Sequence, residues 1–170
     1  QMGCFVPADS AHVGIVDRSL EEGYRFYRDE RLLRNRIEDV DGLARLLGID
    51  TSALMTMQDG ARDAWLLFPA RLHCGQSLLD GRRESIVIDY AFTDALPGYV
   101  ANPDALAGRD GLAVRDEIRM VRPGFYLGRA YLRRIFALNF TLVSADAARS
   151  AESSSAPPAE DCDTGMQARE

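Results

Sequence analysis

Four short segments between residues 86 and 143 alternate in polarity, and they constrain the fold more than any other part of the chain. Each is rich in β-branched and aromatic residues and is bounded by Gly, Pro or Asp. The connections at residues 122–124 and 133–134 are short enough for hairpins, so we predict antiparallel strands with the last three in a meander. The segments are residues 86–92 (IVIDYAF), 112–121 (LAVRDEIRMV), 124–132 (GFYLGRAYL) and 135–143 (IFALNFTLV).

One acidic residue interrupts the apolar face of the second predicted strand. Alternation places Asp116 on the same face as Val114 and Ile118, whereas its two sequence neighbours fall on the opposite face. Burial of a carboxylate is unfavourable unless it is paired or hydrogen-bonded, and burial raises the pKa of an unpaired acid. We therefore predict that Asp116 either forms a buried ion pair with Arg129 or anchors a ligand.

The residues before this region show signals of helices. Ser19 and Glu22 match a capping box, and apolar residues follow at three- and four-residue steps as far as Leu47. We predict N-terminal helices here, with a break near residues 39–42 and Gly48 as a C-terminal cap. The predicted fold is therefore α+β: a curved antiparallel β-sheet or partial barrel with N-terminal helices.

Changes in composition divide the 170 residues into three parts. Residues 1–18 are predicted to form an irregular arm with a short strand near residues 12–16, residues 19–143 a single domain, and residues 144–170 a disordered tail. A further strand is predicted from residue 64 to residue 74, with Pro69 at an edge or a bulge. Residues 93–111, rich in Pro and Gly, are predicted to form a loop over one mouth of the sheet.

Charge and motif content disfavour several classes of function. The formal charge of −6 disfavours a general nucleic-acid binder. No apolar run approaches the ~20 residues of a transmembrane segment, so a cytoplasmic protein is predicted, with membrane anchoring by acylation at Gly3 or Cys4 as the alternative.

The three cysteines lack disulfide or metal-ligand spacing, which predicts reduced thiols. Without motifs for nucleotide, metal or nucleophile chemistry, no cofactor or metal is predicted.

Residues 43–57 permit two interpretations. Ala44, Gly48 and the spaced apolar residues around them match a helix-turn-helix. The second helix would present Asp50 and no basic residue, which disfavours contact with phosphate. A structural helical corner makes the same apolar demands, and both interpretations are kept.

A curved sheet with an apolar inner face and a few polar groups predicts a small-molecule cavity. Asp116 is the candidate general acid or base, with Tyr126 or Arg129 as its helper. The alternative is that all the candidates are ordinary sheet residues. The candidate ligand-binding residues are Trp65, Tyr90, Asp116, Tyr126, Arg129, Tyr131 and Asn139.

Residues 86–142 also carry a family resemblance. IVIDYAF, VRDEIRMVRPGFYLGRAYL and FALNFTL resemble the C-terminal half of bacterial lipocalin-like proteins of unknown function. The resemblance implies a calycin-type barrel that holds an apolar ligand. The N-terminal strands expected of such a barrel are not evident in this sequence, where helices are predicted instead.

Three functions follow from these observations. The first is a barrel-like protein, either non-enzymatic or weakly catalytic, that binds a small apolar or aromatic ligand such as a lipid. The second is a DNA-associated transcriptional regulator that reads DNA with residues 43–57 and uses the sheet as an effector sensor. The third is an interaction subunit that uses the sheet edge or the Arg-rich predicted helix at residues 25–36. Pairing at the sheet edge also predicts a homodimer.

Overall fold

A computed structural model describes residues 11–15, 18–27, 30–59, 62–145 and 147, and this part of the chain is dominated by β-strands. Helix α1 spans Val40–Leu47, and the short helix α2 spans Ala101–Asp104. The strands are β1 (Ala11–Ile15), β2 (Arg18–Tyr27), β3 (Leu32–Ile37), β4 (Met55–Asp59), β5 (Arg62–Gln76), β6 (Glu84–Asp89), β7 (Val114–Arg122), β8 (Phe125–Leu132) and β9 (Ile135–Ser144).

Antiparallel pairings run through eight of these strands without interruption. Strands β6, β7, β8 and β9 form a meander, β9 pairs with β1, and β1 continues through β2 to β3. Because β3 pairs with β5, and β5 with β6, the order returns to its starting point. Strand β4 extends the sheet beside the first part of β5. The predicted curved antiparallel sheet is confirmed.

The four strands predicted between residues 86 and 143 are confirmed as β6 to β9. Asp116 lies directly across from Ile88 on β6 and from Ala130 on β8. Directly paired residues project from the same face of a sheet. Asp116 therefore shares the inner face with the core residues Ile88 and Ile118, as the alternation predicts.

The predicted helices between residues 19 and 37 are wrong, because this stretch forms β2 and β3. Tyr24 and Phe26 are buried at a two-residue step on β2, and Leu33 is buried across from Phe26 on β3. Within the described residues, helical structure begins at α1, where the Asp39 side chain caps the first turn. Gly48 ends this helix in a left-handed conformation with φ of 63°, and its predicted role as a cap is confirmed.

The predicted helix-turn-helix at residues 43–57 is also wrong. After α1 the chain forms one 3₁₀ turn over Thr51–Ala53 and then enters strand β4. Val40 from α1 shares an apolar cluster with Ile49, Leu54 and Leu67 of β5. The apolar spacing that matched two crossed helices therefore belongs to one helix and the segment that follows it, packed on the sheet.

The predicted terminal segments and the thiol prediction have mixed outcomes. Strand β1 lies inside the segment predicted as an arm, near the strand expected at residues 12–16, and it pairs with both β2 and β9. Most of the predicted tail lies outside the described residues, as do Gly3 and Cys4.

Cys74 is disulfide-bonded, so the prediction of a reduced thiol is wrong for this residue. No helix in the described residues is long and apolar enough to cross a membrane.

Candidate ligand-binding cavity

A cavity of about 540 Å³ lies against the inner face of the sheet. Side chains of β2, β3, β7, β8 and β9 line its walls, and residues of α1 and of the loop before β7 line its mouth. The lining is mostly apolar, and several of the leucines at the mouth are exposed to solvent. The mouth residues are Leu43, Leu46, Leu106, Leu112 and Leu138, and the floor residues are Tyr24, Asn35, Tyr90, Asp116 and Phe140.

Polar groups of three strands and of Tyr90 converge on the floor. Oδ2 of Asp116 accepts a hydrogen bond from the Tyr24 hydroxyl at 3.2 Å and from the Tyr90 hydroxyl at 3.4 Å. Asn35 Nδ2 donates to the Tyr90 hydroxyl and to the carbonyl of Phe68, both at 3.1 Å. The amide of Asn35 therefore orients Tyr90 toward Asp116. Oδ1 of Asp116 is buried and has no hydrogen-bond partner among the described residues.

Burial controls the proton affinity of these groups. Burial raises the pKa of Asp116 to about 7, although the hydrogen bonds from Tyr24 and Tyr90 lower it. Burial, together with the charge of Asp116, raises the pKa of Tyr24 and Tyr90 well above the usual value for tyrosine. The two phenols therefore remain protonated donors at neutral pH, whereas the carboxyl group of Asp116 gains or loses its proton there.

A bulge in β5 joins the floor to the loop over the mouth. Phe68, which precedes Pro69, has φ of 49°, and the β3–β5 register shifts beside it. The Phe68 amide donates to Oδ1 of Asp104 at 2.7 Å, and the amide of Val100 donates to Oδ2 of Asp104 at 2.8 Å. Asp104 thus fixes the loop at residues 93–111 to the sheet. Leu106 of this loop lines the cavity.

Two of the seven predicted site residues, Tyr90 and Asp116, line the cavity. Arg129 lies across from Glu117 in the β7–β8 ladder, on the face opposite to Asp116. The predicted ion pair between Arg129 and Asp116 is therefore wrong, and the two tyrosine hydroxyls take its place.

The remaining four predicted residues lie elsewhere and do not line this cavity. Trp65 packs against the apolar cluster under α1. Tyr126 is buried in the core between β7 and β9. Tyr131 lies across from Arg115 and contacts the ring of Phe136 edge to face. Asn139 is exposed and lies across from Arg129.

Tyr24 and Asn35 were not predicted as site residues, because both lie in the stretch predicted as helix. They face each other in the β2–β3 ladder. The two-residue step from Tyr24 to Phe26 is the signal that indicates a strand, and an inward-facing tyrosine follows from that step. No cluster of three or more potential metal ligands occurs among the residues that the structure describes.

Comparison of the chain with protein-family models, with curated proteins and with solved structures found no match.

Proposed function

We propose that the protein binds a small apolar or aromatic molecule, such as a lipid fragment, in the cavity, with Asp116 as its polar anchor. The supporting observation is a cavity of about 540 Å³ whose apolar walls end on one buried carboxyl group. Ligand pockets in proteins are typically about 300–1,000 Å³ in volume and combine an apolar lining with a few placed polar groups. The lipocalin-like resemblance of residues 86–142 points to the same class of ligand.

The exposed leucines at the mouth support this proposal. Leu46 on α1 and Leu112 before β7 are both lining residues and both exposed. An apolar ligand that extends to the mouth removes part of this surface from water, at about 25 cal/mol per Å² of apolar area.

A matched pair of leucines provides the test. Leu138 and Leu132 have exposed fractions of 38% and 37%, but only Leu138 lines the cavity. Binding of a neutral apolar dye such as Nile red is measured by its fluorescence. Leu138→Trp places a larger ring in the cavity and should weaken binding by about tenfold, because a ligand packed against this ring meets a steric cost of about 1–3 kcal/mol, as in an overpacked core. Leu132→Trp should bind as the natural protein does, and equal weakening in both variants would reject the cavity as the site.

A second candidate function is weak acid–base catalysis by Asp116 on a bound ligand. Because burial raises the pKa of this carboxyl to about 7, it exchanges a proton readily at neutral pH, which suits a general acid or base. Exchange of the α-protons of a bound aromatic ketone with deuterated water, followed by NMR, tests this function. Equal exchange rates in the natural protein and in Asp116→Asn would reject it.

Two further proposals concern the location and the assembly of the protein. A cytoplasmic location is one proposal, but the disulfide at Cys74 favours an oxidising compartment, because disulfides are rare in the cytosol. A homodimer through a sheet edge remains a proposal, and light scattering of the purified chain tests it directly.

A further inference from the structure

The carboxyl group of Asp116 is incompletely paired at the end of an apolar cavity. Its Oδ2 accepts from two neutral hydroxyls, those of Tyr24 and Tyr90, and its Oδ1 is buried without a partner in the described residues. Its cross-strand neighbours, Ile88 and Ala130, are apolar. An ionised carboxylate in such surroundings is unfavourable until a donor, and preferably a cation, reaches it.

The other charged residues that line the cavity do not supply this cation. Arg36 lines the cavity, but it forms an ion pair with Glu38. Asp39 also lines the cavity and adds a second acidic group, which caps α1. Acidic charge therefore exceeds basic charge around the cavity. This excess favours a positively charged ligand over a neutral or an anionic one.

We propose that the cavity selects amines with an apolar or aromatic body, whose ammonium group pairs with the carboxylate of Asp116. This inference rests on the proposed function and adds the class of ligand. The ammonium group supplies both the N–H donors and the positive charge that the carboxylate lacks. Rotation about the Cβ–Cγ bond of Asp116 has a low energy cost, so Oδ1 can turn toward the ammonium group of the ligand. The apolar body then lies along Val114, Leu138 and Phe140.

Three probes of nearly equal size separate the contributions of charge and apolar contact: 4-phenylbutylamine, 4-phenylbutan-1-ol and butylbenzene. Their affinities are measured by displacement of Nile red at about pH 8, where Asp116 is ionised and the amine is protonated. We expect the amine to bind about tenfold more tightly than the alcohol and the hydrocarbon, because a charge-assisted hydrogen bond is about twice as strong as a neutral one. In Asp116→Asn the amine should lose this advantage, so that the ratio of its affinity to those of the alcohol and the hydrocarbon falls by about tenfold.

The pH dependence provides a second readout that needs no variant. Pairing with an ammonium group favours the ionised carboxylate, so the affinity for the amine should fall about tenfold between pH 8 and pH 6. A bound hydrocarbon removes water from the carboxyl group, which disfavours its ionised form. The affinity for the hydrocarbon should therefore stay constant or rise as the pH falls from about 8 to about 6. The titrating groups that face the carboxyl are Tyr24 and Tyr90, and both remain protonated in this range.

The outcomes are distinguishable. If the hydrocarbon and the alcohol bind as tightly as the amine in the natural protein, the preference for amines is wrong and the proposed apolar cavity stands. If none of the three probes displaces the dye, the proposed function is wrong and the inference falls with it. If Asp116→Asn does not fold, the pH dependence decides the question in the natural protein: the inference requires that the amine loses affinity between pH 8 and pH 6 and that the hydrocarbon does not.

Discussion

The hydroxyl of Tyr24 on β2 donates to Oδ2 of Asp116 on β7 across 3.2 Å, and the two residues are 92 positions apart in the sequence. Strands β2 and β7 are not neighbours, because β1, β9 and β8 lie between them in the sheet. The hydrogen bond therefore crosses the interior of the curved sheet rather than running along it. It connects the two walls at the floor of the cavity. Oδ1 of Asp116 has no hydrogen-bond partner among the described residues.

Loss of this hydrogen bond should make Asp116 a weaker acid. A hydrogen bond to the charged form of a carboxyl lowers its pKa, and bonds to charged groups contribute about 1.5–3 kcal/mol, or about one to two pKa units. Tyr24→Phe should therefore raise the pKa of Asp116 above about 7. NMR of the aspartate side-chain carbons as a function of pH measures the change.

Tyr131→Phe is the matched control for this experiment. Tyr131 also has a buried hydroxyl, but it lies across from Arg115 and does not line the cavity. The pKa of Asp116 should be the same in Tyr131→Phe as in the natural protein. An equal shift in both variants would mean that general loosening of the core, and not the bond from Tyr24, sets the acidity.

The stability of the protein should depend on the proton at Asp116. Burial raises the pKa of this carboxyl from 3.8 to about 7, so the folded state holds the proton more tightly than the unfolded state. The contribution of this carboxyl group to stability is therefore greatest at low pH and is lost as the pH rises from about 4 to about 7, by about 4 kcal/mol for a shift of about three units. Asn cannot ionise. Relative to the natural protein, Asp116→Asn should gain about this amount of unfolding free energy between pH 4 and pH 8.

Urea unfolding at several pH values measures this gain, and Asp80→Asn provides the control. Hydrogen bonds from Arg82 lower the pKa of Asp80, so its contribution to stability is lost as the pH falls and has the opposite sign. A relative stability of Asp116→Asn that does not change with pH would show that the carboxyl has an ordinary pKa.

The sheet was predictable from sequence where alternation is regular. Residues 86–143 combine two-residue alternation with connections of two or three residues, and the resulting strands and the inward position of Asp116 are confirmed. The prediction of helices was wrong at residues 19–37, where Leu20, Tyr24, Tyr27 and Leu33 fit a helical period by coincidence. The two-residue step from Tyr24 to Phe26 indicated a strand but was outweighed by this period. Strands β2 and β3 pair with each other, and β3 also pairs with β5, which buries Tyr24, Phe26 and Leu33.

The site was less predictable than the sheet, because its geometry depends on cross-strand register. Arg129 was expected to meet Asp116, since a cation is the usual partner of a buried acid. The register places Ala130, not Arg129, across from Asp116. A shift of one residue moves a side chain to the opposite face. In the β7–β8 hairpin the register shifts at a bulge between Met120 and Arg122, and such a bulge leaves little trace in composition.

The loop over the mouth should depend on Asp104. Both oxygens of this carboxylate accept backbone hydrogen bonds, from Phe68 at 2.7 Å and from Val100 at 2.8 Å. Asn has a single acceptor oxygen, so Asp104→Asn leaves one buried N–H without a partner, at about 1–3 kcal/mol. Hydrogen exchange of residues 96–113 should become faster than in the natural protein. Asp94→Asn, an exposed change in the same loop, should leave exchange unchanged, and equal protection in both variants would contradict the role of Asp104.

Gly128 is required by the ring of Phe140, its cross-strand partner. A Cβ at position 128 would overlap with atoms of that ring. The same ring contacts Tyr24 edge to face, with centroids 6.3 Å apart, so its displacement also disturbs the donor to Asp116. Gly128→Ala should therefore destabilise the protein by about 1–3 kcal/mol, as overpacked cores do, and should also weaken dye binding.

Gly42→Ala is the same chemical change at a position with space. A Cβ at residue 42 meets no atom within 4 Å, and the residue lies within α1. Ala favours a helix over Gly by about 0.5–1 kcal/mol, so this variant should be slightly more stable than the natural protein. Urea unfolding of the two variants should thus give changes of opposite sign. A Gly128→Ala protein as stable as Gly42→Ala would show that the Phe140 ring is free to move, and that the floor of the cavity is not held by the packing of β8 against β9.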